Sequence, residues 1–218
     1  MILGIYGAGG LGREVYELAL QINFKESRWS EIMFIDDSDD TESLRSIEIL
    51  SFTEVLASVD LENLEICIAI GEPSTREILF KKVKEHKIKL ASLIHPEVSI
   101  ADSTKIGQGT VINKFVAITC DITIGKNVYV HPMACIGHDS LIGDHSIISS
   151  FVDVPGNCEV QNNVFLAIGV ILKQGIKIGK NTIVGMASVV HRDLPESIIA
   201  LGNPARPMKK NEKNKVFK

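Results

Sequence analysis

The sequence predicts a small Rossmann-like α/β domain followed by a left-handed parallel β-helix, a solenoid of hexapeptide repeats. Three observations lead to this fold class: strand and helix patterns alternate at first, aliphatic residues then recur at every sixth position, and prolines and lysines mark the C-terminal end. We therefore expect an α/β domain over residues 1–93, a β-helix over residues 94–194, and a C-terminal cap and tail over residues 195–218.

The N-terminal pattern predicts a small parallel sheet. Short apolar runs alternate with amphipathic segments, which is typical of βαβ units. The predicted strands are 2–6, 32–35, 65–70 and 90–94. The predicted helices are 13–21, 52–59 and 74–86, and a Ser-x-x-Glu capping box at 74–77 is expected to start the last one.

The hexapeptide period begins at Ile94. From there an aliphatic residue falls on every sixth position up to Val190, seventeen times without a break in phase. Six residues make one short strand and a corner, and three strands complete a triangular coil whose aliphatic side chains stack inside. Since no coil can bury its own apolar face, the solenoid needs covers at its ends; we expect the last residues, 209–218, to be frayed.

Composition excludes several functions. The formal net charge is −4 and the chain has no basic stripe, which argues against nucleic-acid binding. No apolar run approaches the ~20 residues that span a membrane. The N-terminus enters a strand without a signal-peptide pattern, and the four cysteines lack C-x-x-C spacing. We therefore expect a cytoplasmic protein with free thiols.

A glycine-rich turn after the first predicted strand is a candidate nucleotide site. Its residues are Gly9, Gly10, Leu11 and Gly12. The pattern matches a dinucleotide fingerprint, but the sheet is small for a complete dinucleotide fold, so a mononucleotide is favoured over NAD. The N–H groups of the turn could bind a diphosphate. Asp36 or Asp37 could accept a hydrogen bond from the base or ribose, and Arg76 could pair with a phosphate. Alternatively, the glycines only permit a tight strand–helix turn.

Three histidines, His131, His138 and His145, are spaced by seven residues in the predicted β-helix. Side chains of a six-residue solenoid align at multiples of six or eighteen, so the three lie on successive sides and no metal site is expected. Histidine suits a general base at neutral pH, and Asp139 follows His138 directly, where it can fix the tautomer. Alternatively, His138 is a corner residue exposed to solvent or packed in a subunit interface.

Together these motifs resemble the PglD/NeuD group of bacterial sugar acetyltransferases over nearly the whole chain. The motifs lie at 7–12, 35–37, 70–76, 137–139 and 202–206. The resemblance implies a homotrimer that binds acetyl-CoA between neighbouring solenoids and a nucleotide-linked sugar on the N-terminal domain. Through the frame His–acid–x–x–Ile–Gly, it makes His138 the catalytic base and Asp139 its partner.

The resemblance also assigns binding residues. Gly156 would supply an oxyanion N–H beside the cofactor. The acetyl-CoA groove would further include His145, Ile168, Gly169, Met186, Asn203, Pro204 and Arg206. The sugar nucleotide would meet Gly9, Gly10, Leu11, Gly12, Asp36, Asp37, Gly71 and Arg76. Many relatives carry histidine where this chain has Leu11, so a polar contact made by that histidine is lost here.

The implied function is acetyl-CoA-dependent N-acetylation of a nucleotide-linked amino sugar for surface polysaccharide, O-antigen or glycoprotein synthesis. A 4-amino-4,6-dideoxyhexose on UDP, dTDP or GDP fits this description. Two alternatives stay open. Residues 71–76 also resemble the sialic-acid branch, which acetylates a sugar hydroxyl, and a solenoid without catalysis would be a binding or assembly module.

Overall fold

The computed structural model describes residues 1–38 and 43–217 of the chain. An N-terminal α/β domain packs on one face of a parallel β-helix whose three sheets form a triangular prism. The predicted order of the two units is therefore confirmed. Within the described residues, no helix combines the length and the apolar character needed to cross a lipid bilayer.

The N-terminal domain is a six-stranded sheet flanked by helices. Its strands are β1 (Ile2–Tyr6), β2 (Glu31–Ile35), β3 (Ser43–Leu44), β4 (Ile47–Leu50), β5 (Leu64–Ile68) and β6 (Lys89–Leu90). Their order is β3-β4-β2-β1-β5-β6, and all pairs except β3–β4 are parallel. The helices are α1 (Gly10–Glu26), α2 (Phe52–Ser58) and α3 (Pro73–Glu85), with a 3₁₀ turn at Leu61–Asn63. Both faces of β5 are buried, so four of its five residues are apolar, and the fifth, Glu65, pairs with Arg28.

Two predictions for this domain are wrong. Helix α3 begins at Pro73 with Glu72 as its N-cap and no side-chain cap, so residues 74–77 form no capping box. Proline fixes φ at a helical value and starts the helix before the serine. The predicted strand 90–94 is interrupted, because the chain leaves the domain sheet after β6 and enters the β-helix at β7 (Leu93–Ile94).

The β-helix consists of two-residue strands. After β7 they are β8 (Lys105–Ile106), β9 (Val111–Ile112), β10 (Ala117–Ile118), β11 (Thr123–Ile124), β12 (Tyr129–Val130), β13 (Cys135–Ile136), β14 (Leu141–Ile142), β15 (Ile147–Ile148), β16 (Asp153–Val154), β17 (Glu159–Val160), β18 (Phe165–Leu166), β19 (Ile171–Leu172), β20 (Lys177–Ile178), β21 (Ile183–Val184) and β22 (Val189–Val190). The first face contains β7, β9, β12, β15, β18 and β21, the second β8, β11, β14, β17 and β20, and the third the remaining strands.

The aliphatic residues that recur at every sixth position from Ile94 to Val190, which we call the ladder, form the core of the prism. Strands pair in parallel with a shift of eighteen residues, so Ile124 lies beside Ile142 and Ile142 beside Val160. Every ladder member from Ile124 to Val190 is at most 2% exposed. This stacking buries the apolar side chains that a single coil would leave exposed to water. The six-residue period therefore determines the fold.

The corners of the prism are made by residues with left-handed backbone. A positive φ recurs at every sixth residue from Gly109 to Ala187, three positions after each ladder residue. Glycine, asparagine and aspartate tolerate this conformation, whereas Phe115, Met133 and Phe151 adopt it at a steric cost. These three residues lie between the first and third faces, eighteen residues apart, in what we call the apolar corner. Two further corners are the His138 corner, between the third and second faces, and the domain corner, between the second and first faces.

The C-terminal end extends the first face and then turns back. Strands β23 (Ile198–Gly202) and β24 (Ala205–Lys210) form an antiparallel hairpin, and β23 pairs with β21. Residues 211–217 return to the N-terminal domain, where the backbone N–H groups of Val216 and Phe217 donate to Glu72. The prediction of a frayed end is therefore wrong for residues 209–217, whereas Lys218 lies outside the described residues.

Candidate active site

His138 and Asp139 form a side-chain pair on the His138 corner. The two atoms Nδ1 of His138 and Oδ2 of Asp139 are 2.8 Å apart, and both side chains are about half exposed. Because a carboxylate only accepts hydrogen bonds, this contact places the ring proton on Nδ1 and leaves the lone pair on Nε2. The arrangement holds one ring nitrogen through Asp139 and leaves the other open for proton transfer.

The backbone of Gly156 lies directly against the ring of His138. A Cβ atom built on Gly156 would lie 2.5 Å from Nε2 of His138 and 2.6 Å from Cε1. The carbonyl oxygen of His138 also accepts from the backbone N–H of Asn157, at 2.8 Å. The next coil thus holds the imidazole in place from one side, and only glycine leaves room for it.

We expect Gly156→Ala to slow any reaction that uses the imidazole of His138 by about tenfold to a hundredfold, because the new methyl group must displace that ring. The measurement is kcat together with the melting temperature. Gly175→Ala is a control on the same corner, since a Cβ there meets no described atom within 4 Å, although its positive φ gives it a strain cost of its own. An unchanged kcat in Gly156→Ala would show that the ring position is not critical.

Most residues predicted for the acetyl-CoA groove gather at the apolar corner. Ile168 and Met186 are exposed there on successive coils, and the backbone N–H of Ala187 donates to the carbonyl of Ile168 at 2.8 Å. The β23–β24 hairpin carries Asn203 and Pro204 in its turn and Arg206 in β24, and it adjoins this corner, because Gly202 N–H donates to Ser188 Oγ. Gly169 supplies one of the positive φ values. His138, the predicted base, lies on a different corner of the same chain.

His145 is misassigned by the sequence prediction and does not line this groove. It lies on the domain corner and is 8% exposed, with its ring edge-on to Phe80 of α3 at 5.1 Å. Its Nδ1 is 3.0 Å from Nδ2 of Asn127. Burial lowers the pKa of His145 below its ordinary value. The docked N-terminal domain covers this residue, so His145 belongs to the domain interface.

The predicted nucleotide residues lie along the carboxyl edge of the N-terminal sheet. Gly12 has a packing role, since a Cβ there would lie 2.0 Å from the carbonyl oxygen of Gly7. Gly9 and Gly10 have no such packing role, because Cβ atoms built on them meet no described atom closer than 3.8 Å. Gly71, which follows β5, is on the same edge, where its built Cβ approaches Leu11 to 4.0 Å. An open backbone at a helix start in this position suits a phosphate-bearing ligand.

Two aspartates follow β2 on this edge and are already engaged. The carboxylate of Asp36 accepts from Ala8 N–H at 2.8 Å, and Asp37 pairs with Lys82 at 2.7 Å and accepts from Tyr6. Burial raises the pKa of each carboxyl group, but these hydrogen bonds outweigh burial and leave both pKa values below the ordinary range. Both groups are therefore ionised acceptors at neutral pH.

The prediction that Arg76 binds a phosphate is wrong in this structure. Its guanidinium is fully buried and donates to the carbonyls of Ile68, Ile70 and Asn127 and to the side-chain oxygen of Asn127. Burial lowers the pKa of Arg76 to about 10. Arg76 thus links the loop after β5 to the domain corner of the β-helix.

Three residues of this region were not predicted. Tyr6 and Lys82 both donate hydrogen bonds to Asp37, and Lys82 also donates to Tyr6. Glu72 accepts a hydrogen bond from the backbone N–H of Val216. Tyr6 ends the first strand, so its place on the carboxyl edge was available from the strand pattern. The contacts of Lys82 and Glu72 depend on tertiary packing, for which the local sequence carries no pattern.

Comparisons with known proteins agree with this geometry. A model of the PglD N-terminal domain family matches residues 3–83. The chain is 29% identical over 217 residues to GDP-perosamine N-acetyltransferase of Escherichia coli O157:H7. The alignment covers 96% of this chain and 97% of the relative. The solved structure of WeeI from Acinetobacter baumannii AYE has a TM-score of 0.88 and 30% identity, covering 95% of this chain and 100% of that one.

A mutant of perosamine N-acetyltransferase from Caulobacter crescentus, solved in complex with CoA and GDP-perosamine, is equally similar in fold. Its TM-score is 0.88 at 27% identity, covering 96% of this chain and 98% of that chain. The chain belongs to the PglD/NeuD group of hexapeptide-repeat sugar acetyltransferases. The predicted fold class, including the left-handed β-helix, is confirmed.

Proposed function

We propose that this protein transfers the acetyl group of acetyl-CoA to the amine of a nucleotide-linked amino sugar. The observation that carries the proposal is the imidazole of His138, held at Nδ1 by Asp139 and packed against the Gly156 backbone. Relatives named for N-acetylation of perosamine or GDP-perosamine are similar over nearly the whole chain, and the structures from Caulobacter crescentus hold CoA and GDP-perosamine. This similarity supports the same substrate class here.

In the proposed reaction, the sugar amine attacks the thioester carbonyl carbon. Nε2 of His138 accepts the proton that the amine loses, and Asp139 stabilises the resulting imidazolium. The backbone N–H of Gly156 donates to the oxyanion. When the C–S bond breaks, the imidazolium returns the proton to the CoA sulfur. The diphosphate of the sugar nucleotide would meet the open backbone of Gly9 and Gly10.

The test is a turnover assay with acetyl-CoA and nucleotide amino sugars. GDP-, UDP- and dTDP-linked 4-amino-4,6-dideoxyhexoses are offered in turn, and release of the CoA thiol and the mass of the sugar product are measured. We expect one nucleotide to be preferred and the product mass to rise by one acetyl group. Absence of product from all three sugars would refute the proposed substrate class.

We further propose that the active protein is a homotrimer. In one chain most of the predicted acetyl-CoA residues lie on a different corner from His138, so a complete site needs a neighbouring copy. Phe115, Met133 and Phe151 of the apolar corner are 61%, 50% and 61% exposed despite their strained backbone. A continuous exposed apolar ridge of this kind is typical of a subunit interface.

Phe151→Asp should convert the trimer to a monomer, because a charge at the centre of the apolar corner would have to be buried unpaired. Light scattering measures the mass, which should fall to about one third. Phe24→Asp is the control: Phe24 is 91% exposed but lies on α1, and its variant should remain a trimer. A monomeric unmodified protein would contradict the proposed assembly.

A further inference from the structure

The last residues of the chain are anchored at two points. Asn211 is buried, its backbone N–H donates to Ser197 at 2.8 Å, and its side chain donates to the carbonyl of Asn181 at 2.9 Å. Five and six residues later, the N–H groups of Val216 and Phe217 both donate to the Glu72 carboxylate, at 2.9 and 3.1 Å. We call residues 211–217 the C-terminal strap.

The strap places Phe217 at the predicted sugar-nucleotide site. Its ring stands edge-on to Phe165 of the β-helix, with ring centres 5.8 Å apart. Its Cε2 atom lies 3.7 Å from a Cβ built on Gly71, and Leu11 approaches the same point. The ring therefore adjoins both the glycine-rich turn and the loop after β5, yet 57% of Phe217 remains exposed.

The charge of the strap also suits the substrate. A cavity of ≈ 820 Å³ lies between the strap and the β23–β24 hairpin, and its walls include Lys209, Lys210, Lys213 and Lys215, with Glu212 the only acidic residue among them. Phe217 also lines this cavity. Positive charge beside an exposed aromatic ring matches a ligand that combines a diphosphate with a ring.

We propose that the strap is one wall of the sugar-nucleotide site, with Phe217 as a specificity-determining contact and Glu72 as the positioning residue that holds it. This inference rests on the proposed function for the identity of the substrate. The free face of Phe217 packs against an apolar ring face of the nucleotide-linked sugar. Glu72 acts through the strap backbone and does not touch the substrate.

The test compares Phe217→Ala and Glu72→Ala with Phe24→Ala, a control on the exposed phenylalanine of α1. Steady-state kinetics with the preferred nucleotide sugar give KM for each substrate, and calorimetry without acetyl-CoA gives the Kd of the intact nucleotide sugar. We expect Phe217→Ala and Glu72→Ala to raise KM for the nucleotide sugar about tenfold. KM for acetyl-CoA and the control's kinetics should stay unchanged.

A merely structural strap would give a different result. In that case both variants would lower the melting temperature and leave KM and Kd unchanged, which would overturn the proposal. A chain ending at Asn211 gives a second measurement: its Kd for the nucleotide sugar should rise by at least as much as that of Phe217→Ala. If the unmodified protein binds nucleotide sugars but acetylates none, the proposed function fails while the Kd values still test the strap.

Discussion

His138→Ala should lower kcat for acetyl transfer by about 10²–10⁴-fold, because removing the imidazole deletes the only acceptor placed for the amine proton in the proposed mechanism. The melting temperature should change little, since the side chain is about half exposed and lies on a corner outside the aliphatic core. The measurement is thiol release at saturating acetyl-CoA and nucleotide sugar, with thermal unfolding in parallel.

Asp139→Asn and Asp121→Asn provide the comparison for this result. Asp139 contacts the ring of His138, so its variant should lose activity but less than His138→Ala does. Asp121 occupies the equivalent corner position eighteen residues earlier, and Asp121→Asn should leave kcat unchanged. If His138→Ala retained its full kcat, the general-base role would be wrong and another acceptor would have to be sought.

Arg76→Met should destabilise the protein by roughly 3 kcal/mol or more, even though methionine has a similar length. The guanidinium satisfies four buried oxygen atoms that belong to Ile68, Ile70 and Asn127. Each buried acceptor left without a donor costs about 1–3 kcal/mol. Urea unfolding at fixed protein concentration measures the loss, which should appear first in the N-terminal domain because Arg76 ties it to the β-helix.

Arg45→Met is the matched control for this experiment. Arg45 pairs with Glu17 at the surface, and exposed pairs of this kind contribute about 0–1 kcal/mol. Its unfolding midpoint should therefore stay near that of the unmodified protein. Equal midpoints for the two variants would mean that water or a rearranged loop satisfies the four oxygens once Arg76 is removed.

The β-helix was predictable because its fold depends on a short-range period. The β-helix requires an aliphatic residue at every sixth position, and each residue of the ladder from Ile94 to Val190 meets this requirement. The same signal is therefore repeated many times in the sequence. The pair of His138 and Asp139 was equally local, since the two residues are adjacent on one corner and contact each other. The corner identity of each residue also follows from counting in steps of six.

The contacts between the two units were not predictable in this way. Arg76 and His145 both occur in motifs that suggested a ligand, but the docked domain buries both of them. Which face of the prism carries the domain depends on the outward side chains of the first face, such as Tyr129 and Ile147, and no local pattern marks them. The contact of Glu72 with Phe217 joins residues 145 positions apart.

The eighteen-residue pairing shift also constrains how such a chain can change in length. A duplication of eighteen residues would lengthen the prism by one layer, about 4.8 Å, and would leave the orientation of the C-terminal coils unchanged. A duplication of only six residues would preserve the aliphatic core but turn every later segment by a third of a revolution. The hairpin of β23 and β24 would then leave the first face, so viable length variants should differ by whole layers.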